Sequence, residues 1–178
     1  QYLDGTTDIT RTVAIGDPDN FIKKTFTLVL KGHIALSLAQ FPEGIAGMHL
    51  DTFARQFLWH EGLDFNHGTG HGVGSYLNVH EGPHSIGKGA NNVPLMEGMV
   101  VSNEPGYYKE NQFGIRCENL IFVKKIKEID GINLLGFENL TYVPFDIRLL
   151  DMKLITNTEK EWINQYHQEV LKKVGPLL

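Results

Sequence analysis

The chain has 178 residues, 42% of them hydrophobic and 21% charged, with a formal net charge of −5. That length suits one domain with a sizeable core, and the acidic balance argues against a nucleic-acid surface, which needs a basic stripe. No apolar run is long enough to span a bilayer and no secretory signal opens the chain; the single cysteine, Cys117, forbids an internal disulfide and points to a reducing compartment, the cytoplasm.

Residues 9–15 alternate and are rich in β-branched side chains, which predicts a strand. Asp17 and Pro18 then suit the cap and first position of a helix running to about Ala39, with Phe21, Phe26, Val29 and Leu30 buried. A second helix is expected from about Leu50 to Glu61, with Phe53, Phe57 and Leu58 inward and Gly62 as its stop. From Gly62 to Gly106 glycines are dense and helical periodicity is lost, as in loops that carry chemistry on a scaffold. Strands are expected over 99–103, 113–124 and 140–144. Thr156 and Glu159 offer a capping box for a last helix reaching about Val174, with Trp162, Ile163, Tyr166, Val170 and Leu171 inward. No internal repeat is present. The chain opens on Gln1, a few residues before a motif, and reads as a piece of a longer protein.

The chemistry concentrates in His67-Gly-Thr-Gly-His71-Gly-Val-Gly74 and the following His80. Imidazole serves as metal ligand, proton shuttle or oxyanion partner, and glycine lets backbone approach a ligand closely. An offset of four puts His67 and His71 on one face in either regular conformation. Glu118 interrupts an apolar strand, where a buried carboxylate costs several kcal/mol unless Arg116 or a cation compensates it. Glu104 is held extended by Pro105, and the two glutamates are expected to face each other across neighbouring strands. Asp8 shares a strand face with Thr10, whose hydroxyl would orient its carboxylate. Asp4, beside Gly5, belongs to an exposed turn. His33, His60, His84 and His167 read as ordinary structural histidines. Carboxylates with an imidazole suit hard or borderline divalent ions such as manganese, and two such ions a few ångströms apart form a hydrolytic centre.

Asp4-Gly-Thr-Thr-Asp-Ile-Thr-Arg-Thr12, Leu30-Lys-Gly-His-Ile-Ala35, His67 to Gly74, Leu77 to Pro83, Asn103 to Tyr108 and Phe113 to Asn119 together resemble the C-terminal catalytic domain of the Xaa-Pro aminopeptidases (aminopeptidase P) of the pita-bread metallopeptidase family. The resemblance implies an α+β pita-bread fold with a mixed, curved sheet and helices packed outside. The chain would hold its second half and the end of its first, with 140–178 as a C-terminal extension. It implies a metal-dependent hydrolase that cuts the Xaa-Pro bond of peptides with proline second. Two divalent ions are implied, manganese foremost, with zinc or cobalt as alternatives. Asp8 then corresponds to a bridging aspartate, His71 to the histidine ligand, and Glu104 and Glu118 to the two glutamates. Glu104 would also move the proton as general base and then acid. His67 and His80 correspond to substrate-contacting histidines, with Thr10 and Arg116 behind the ligands. The family's other aspartate would precede Gln1, so the chain alone is expected to be crippled in catalysis. A homodimer is expected, with Trp59 and Phe57 as candidate contacts or as core residues; neither nucleic acid nor membrane is expected as a partner. Three rival readings are a ligand-free binding module, a prolidase and a metal-independent creatine-hydrolase-like enzyme. The retained carboxylates and the histidine-glycine motif disfavour them.

Overall fold

The computed structural model describes residues 2–74, 76 and 78–178. Three helices, α1 (Asn20–Ser37), α2 (Asp51–Trp59) and α3 (Asn157–Val174), pack against eight strands. The strands are β1 (Phe41–Pro42), β2 (Gly70–His71), β3 (Ser85–Ile86), β4 (Val100–Asn103), β5 (Gly106–Lys109), β6 (Phe113–Arg116), β7 (Asn119–Ile129) and β8 (Ile132–Asn139). The main sheet has the order β1-β8-β7-β4, while β2-β3 and β5-β6 form separate pairs. The α+β class expected from the sequence holds. All the named pairs are antiparallel, so the parallel pairings a mixed sheet would add are absent among the described residues.

α1 is the central element. Asp19, not Asp17, caps it by accepting a hydrogen bond from the Ile22 N–H at 2.8 Å, so the helix starts two residues later than its Asp-Pro signal suggests. Eleven of its residues are buried, because α2, α3 and the strands surround it. Gly32 makes the α2 contact: a Cβ there would lie 2.1 Å from the Ala54 carbonyl oxygen. One apolar cluster joins Phe26, Leu30 and Leu58 to Phe145, Ile163 and Tyr166. A second fills the space between α2 and the main sheet through Leu36, Ala54, Val101 and Ile121.

Several expectations are corrected. Residues 9–15 join no ladder, and Ile15, at a bend, is 99% exposed. The expected strand 113–124 is two strands, broken at Cys117 and Glu118. Residues 140–144 form no strand; Thr141 instead accepts a bond from the Leu120 N–H through its hydroxyl. The Thr156–Glu159 capping box is present. Leu171 is 72% exposed, because Ile163, Tyr166 and Val170 define the buried stripe and Leu171 falls a residue past it. Phe21 and Phe53 are likewise part-exposed rather than core. Among the described residues no helix is long and apolar enough to cross a membrane.

Candidate metal centre

The strand register brings the two glutamates together. β4 ends at Asn103 and β7 begins at Asn119, and these two residues are paired. Glu104 follows one strand and Glu118 precedes the other, so both leave the same end of the ladder. Pro105 has no N–H with which to continue β4, and the β5–β6 hairpin carries the chain round to Cys117. The backbone N–H of Glu104 donates to the Thr69 carbonyl at 2.8 Å, and that of Glu118 to the Thr10 carbonyl at 3.1 Å. These two bonds dock the His71 segment and the Asp8 segment onto the glutamates.

His71 arrives on β2, which pairs with Ser85–Ile86 and touches β4 through a bridge from Gly72 to Val101. Close packing explains the glycines of this motif. A Cβ on Gly70 would lie 1.9 Å from the Ser102 carbonyl oxygen, and one on Gly72 would lie 2.0 Å from that of Glu81. The sequence suggested room for a ligand; at these two positions the room is taken by neighbouring backbone.

The candidate ligands converge. His71 Nε2 is 3.1 Å from Glu104 Oε1 and 3.5 Å from Asp8 Oδ2. It is buried and makes no hydrogen bond to either, being within ion-pair range but off the bonding axis. One donor atom each from His71, Glu104 and Glu118 lies within 4.8 Å of the others, and the same holds for Asp8, His71 and His80. His71 Nδ1 lies 3.0 Å from the Gly72 carbonyl; that oxygen only accepts, which puts the proton on Nδ1 and leaves a lone pair on Nε2. Ser102 Oγ accepts from the His71 N–H and donates to Glu104 Oε1, both at 2.9 Å. The Thr10 hydroxyl donates to Glu118 Oε2, where the sequence had assigned it to Asp8.

Electrostatics sharpen the picture. Glu118 is 1% exposed. Burial pushes its carboxyl up to about 7, the nearby Glu104 and Asp8 charges push the same way, and the Thr10 bond opposes them. Burial acts on Glu104 in the same sense, but His71, Ser102 and Arg116 outweigh it and hold that carboxyl below its usual range. Burial would depress His71, and Glu104 chiefly reverses this and raises it. Crowded buried carboxylates beside an unbonded imidazole nitrogen are the chemistry of a divalent-cation site, and the residues fit such an ion.

Around this cluster lie the other predicted residues and some the sequence reasoning missed. His67 Nδ1 is 2.7 Å from the Gly68 carbonyl, and its Nε2 is 2.9 Å from the Tyr108 hydroxyl. Arg116 Nε donates to that hydroxyl at 2.8 Å, and Arg116 Nη1 lies 3.6 Å from Glu104 Oε2. Tyr108 therefore links His67 to Arg116; its presence beside Glu104 in the Asn103–Tyr108 motif was the available signal. The exposed His80 ring stands nearly perpendicular to His71, with centroids 4.0 Å apart. Arg11 was also missed. Its guanidinium donates to the carbonyls of Thr10, Glu118 and Val143 and to Tyr166, tying α3 to the ligand segments. Arg55 is buried on Asp51 and bonds the Phe65 and His67 carbonyls, anchoring the histidine motif to α2. His33 is far from ordinary: it is fully buried, with Asn103, Cys117 and Asn119 gathered round it. Cys117 is fully buried too, and burial lifts its thiol to about 12. Asp4 lies in an exposed turn, as expected.

A helix-backed antiparallel sheet whose strand ends gather carboxylates and an imidazole has the architecture of a divalent-metal protein. The sequence model of metallopeptidase family M24 matches residues 1–125, and that of the C-terminal region of peptidase M24 matches residues 133–178. The chain belongs to metallopeptidase family M24. It is 55% identical to a probable Xaa-Pro aminopeptidase P of Sclerotinia sclerotiorum, over 97% of this chain and 30% of that protein. It is also 55% identical to aminopeptidase P2 of Arabidopsis thaliana, over 100% of this chain and 26% of that one. Among solved structures, the X-prolyl aminopeptidase of Caenorhabditis elegans, described as a cytosolic enzyme with a di-nuclear active site, superposes with a TM-score of 0.92 at 48% identity. That match covers 98% of this chain and 28% of the other. A prolidase from Pyrococcus horikoshii gives 0.63 at 34% identity, covering 79% and 37%. The fold is the pita-bread fold. The chain spans about 26–30% of the length of the curated relatives it matches.

Proposed function

We propose that this chain carries the metal-binding part of an Xaa-Pro aminopeptidase, which hydrolyses the bond before a proline in second position. The observation that carries the reading is the convergence of Asp8, Glu104 and Glu118 on the unbonded Nε2 of His71. In the intact protein Asp8, His71, Glu104 and Glu118 would hold divalent ions, two of them by likeness to the di-nuclear Caenorhabditis elegans enzyme. The oxygen-rich donor set favours manganese. Bound there, the ions supply Lewis-acid polarisation of the scissile carbonyl and lower the pKa of water.

The remaining chemistry belongs to side chains. Glu104, ionised through His71, Ser102 and Arg116, accepts a proton and passes it to the leaving prolyl nitrogen. Burial lowers the His67 pKa and keeps the ring neutral, against the opposing pull of the Nδ1–H bond that the Gly68 carbonyl accepts. Nε2 then accepts from the Tyr108 hydroxyl, which Arg116 Nε holds and whose own pKa burial raises, so the pair fixes the ring; contact with an oxyanion would need a further proton on Nε2. His80, exposed beside His71, would orient the peptide across the cluster.

The chain is read as the C-terminal part of the pita-bread domain, with 140–178 as its extension; β8 still belongs to the main sheet through Asn139, which supports that boundary. A cytoplasmic location follows the Caenorhabditis elegans relative. A homodimer through the part-exposed Trp59 completes the reading; an unchanged sedimentation coefficient for Trp59→Glu would remove Trp59 from it.

Manganese stoichiometry with tripeptide and dipeptide hydrolysis tests the assignment. From the intact protein, release of the first residue of Xaa-Pro-Xaa peptides is expected, and cleavage restricted to dipeptides would point to a prolidase. His71→Ala should strip metal, whereas His67→Ala should depress turnover and spare metal content. Loss of metal from His67→Ala would overturn its assigned role.

A further inference from the structure

The peptide groups that lead into the two glutamates are each held at both ends. The Asn103–Glu104 peptide gives its N–H to Thr69, and the Cys117–Glu118 peptide gives its N–H to Thr10. Their carbonyl ends meet a single atom: Nδ1 of His33 is 3.2 Å from the Asn103 oxygen and 3.2 Å from the Cys117 oxygen. Both oxygens can only accept, so Nδ1 carries the proton and shares it between them. Nε2 then accepts, and Asn119 Nδ2 faces it at 3.5 Å. Asn103 returns a bond from its own amide to the His33 carbonyl at 3.0 Å. All three side chains are fully buried, so no water can replace a lost partner without rearrangement.

We propose that His33 is a positioning residue for the metal centre, its one shared N–H setting the separation and tilt of the peptides that aim Glu104 and Glu118. This rests on the reading of those glutamates as metal ligands. Packing alone does not require the arrangement. A leucine or phenylalanine on α1 would fill the same space among Phe145 and Trp162, which flank the ring at 5.5 and 5.9 Å. The buried imidazole places one donor within reach of both strand ends. Its neutral state agrees, since burial pushes His33 down to about 3. The spacing of two carboxylates that grip one cluster would therefore be governed from a helix that contributes no ligand.

Cobalt(II) titrated into the intact protein, followed by visible absorption and calorimetry, provides the test. His33→Phe keeps a ring and loses the donor. His33→Asn puts an amide nitrogen near the place of Nδ1, and His33→Gln puts one near that of Nε2. The expected result is about tenfold to a hundredfold weaker cobalt binding and a shifted absorption band for Phe and Gln, of the size seen when groups behind a ligand are removed. Asn should restore most of the affinity and the wild-type band. Should His33→Phe fail to fold, the Asn and Gln pair decides, and equal affinities and bands for the two overturn the proposal. Wild-type binding and spectrum in all three variants overturn it as well. Intact wild-type protein that binds no cobalt removes the metal-site reading itself, and this inference with it.

Discussion

The Thr10 hydroxyl donates to Oε2 of Glu118 across 108 residues of sequence. This bond is direct side-chain compensation for a carboxylate inserted at an apolar strand end. It does not suffice: burial and the neighbouring carboxylates still leave Glu118 titrating at about 7. A divalent ion entering there would have to displace a proton over much of the neutral range. Calorimetry of manganese binding in buffers of different ionisation enthalpy should show proton release that is large at pH 6 and small by pH 8. Thr10→Val, lacking the bond that favours the ionised form, should shift that release to higher pH and weaken binding at pH 7 by about tenfold or more. Release unchanged by the substitution would deny Thr10 this influence.

The same carboxyl makes the metal-free chain sensitive to pH in an uncommon direction. Its folded pKa is raised from 4.5 to about 7, so the folded state binds the proton more tightly than the unfolded state. The associated stability is present below about 4.5 and is lost as pH rises through about 7, at a slope approaching about 1.4 kcal/mol for each pH step of one within that window. Urea unfolding of the metal-free protein should therefore show wild type losing stability relative to Glu118→Gln between pH 5 and 8. A difference that stays flat or grows with pH would contradict it.

The glycines of the histidine motif should differ sharply in tolerance. At Gly70 a Cβ meets the Ser102 carbonyl at 1.9 Å, whereas at Gly68 the nearest atom is 3.5 Å away. Gly70→Ala should cost about 3 kcal/mol or more by forcing β2 off β4. Gly68→Ala should cost less than about 1 kcal/mol. Denaturant midpoints measure both, and equal losses would mean that β2 is not pinned against β4.

Tyr108→Phe removes the hydroxyl between His67 and Arg116 while leaving the ring in place. On the proposed peptidase function, kcat of the intact protein should fall about tenfold to a hundredfold with bound metal content unchanged. Unchanged kcat would show that His67 works without Tyr108.

Much of this was legible in the sequence. Isolated carboxylates and histidines among glycines marked the cluster, and the capping box at Thr156 gave the start of α3 to the residue. The misses have physical reasons. The 113–124 stretch reads as one strand because Ile115, Leu120 and Ile121 are apolar throughout, yet the chain must break at Cys117 to turn Glu118 inward. Residues 9–15 have strand composition but join no ladder, a pairing outcome that local propensity does not determine. Leu171 lies at the margin of its helix stripe, where periodicity is ambiguous. Arg11 and His33 were passed over because their roles depend on carbonyl groups, and carbonyl positions are set by tertiary structure alone.

Cys117 ends the chain's list of reactive side chains as a silent one. With its thiol at about 12 and no exposed surface, hardly any of it is thiolate at neutral pH. Alkylating reagents should find it only when the strands that flank the glutamates separate. Since it is the single cysteine of the chain, its labelling rate is an intrinsic clock for opening of the end of the sheet that carries the two glutamates, readable without engineering a probe into the protein.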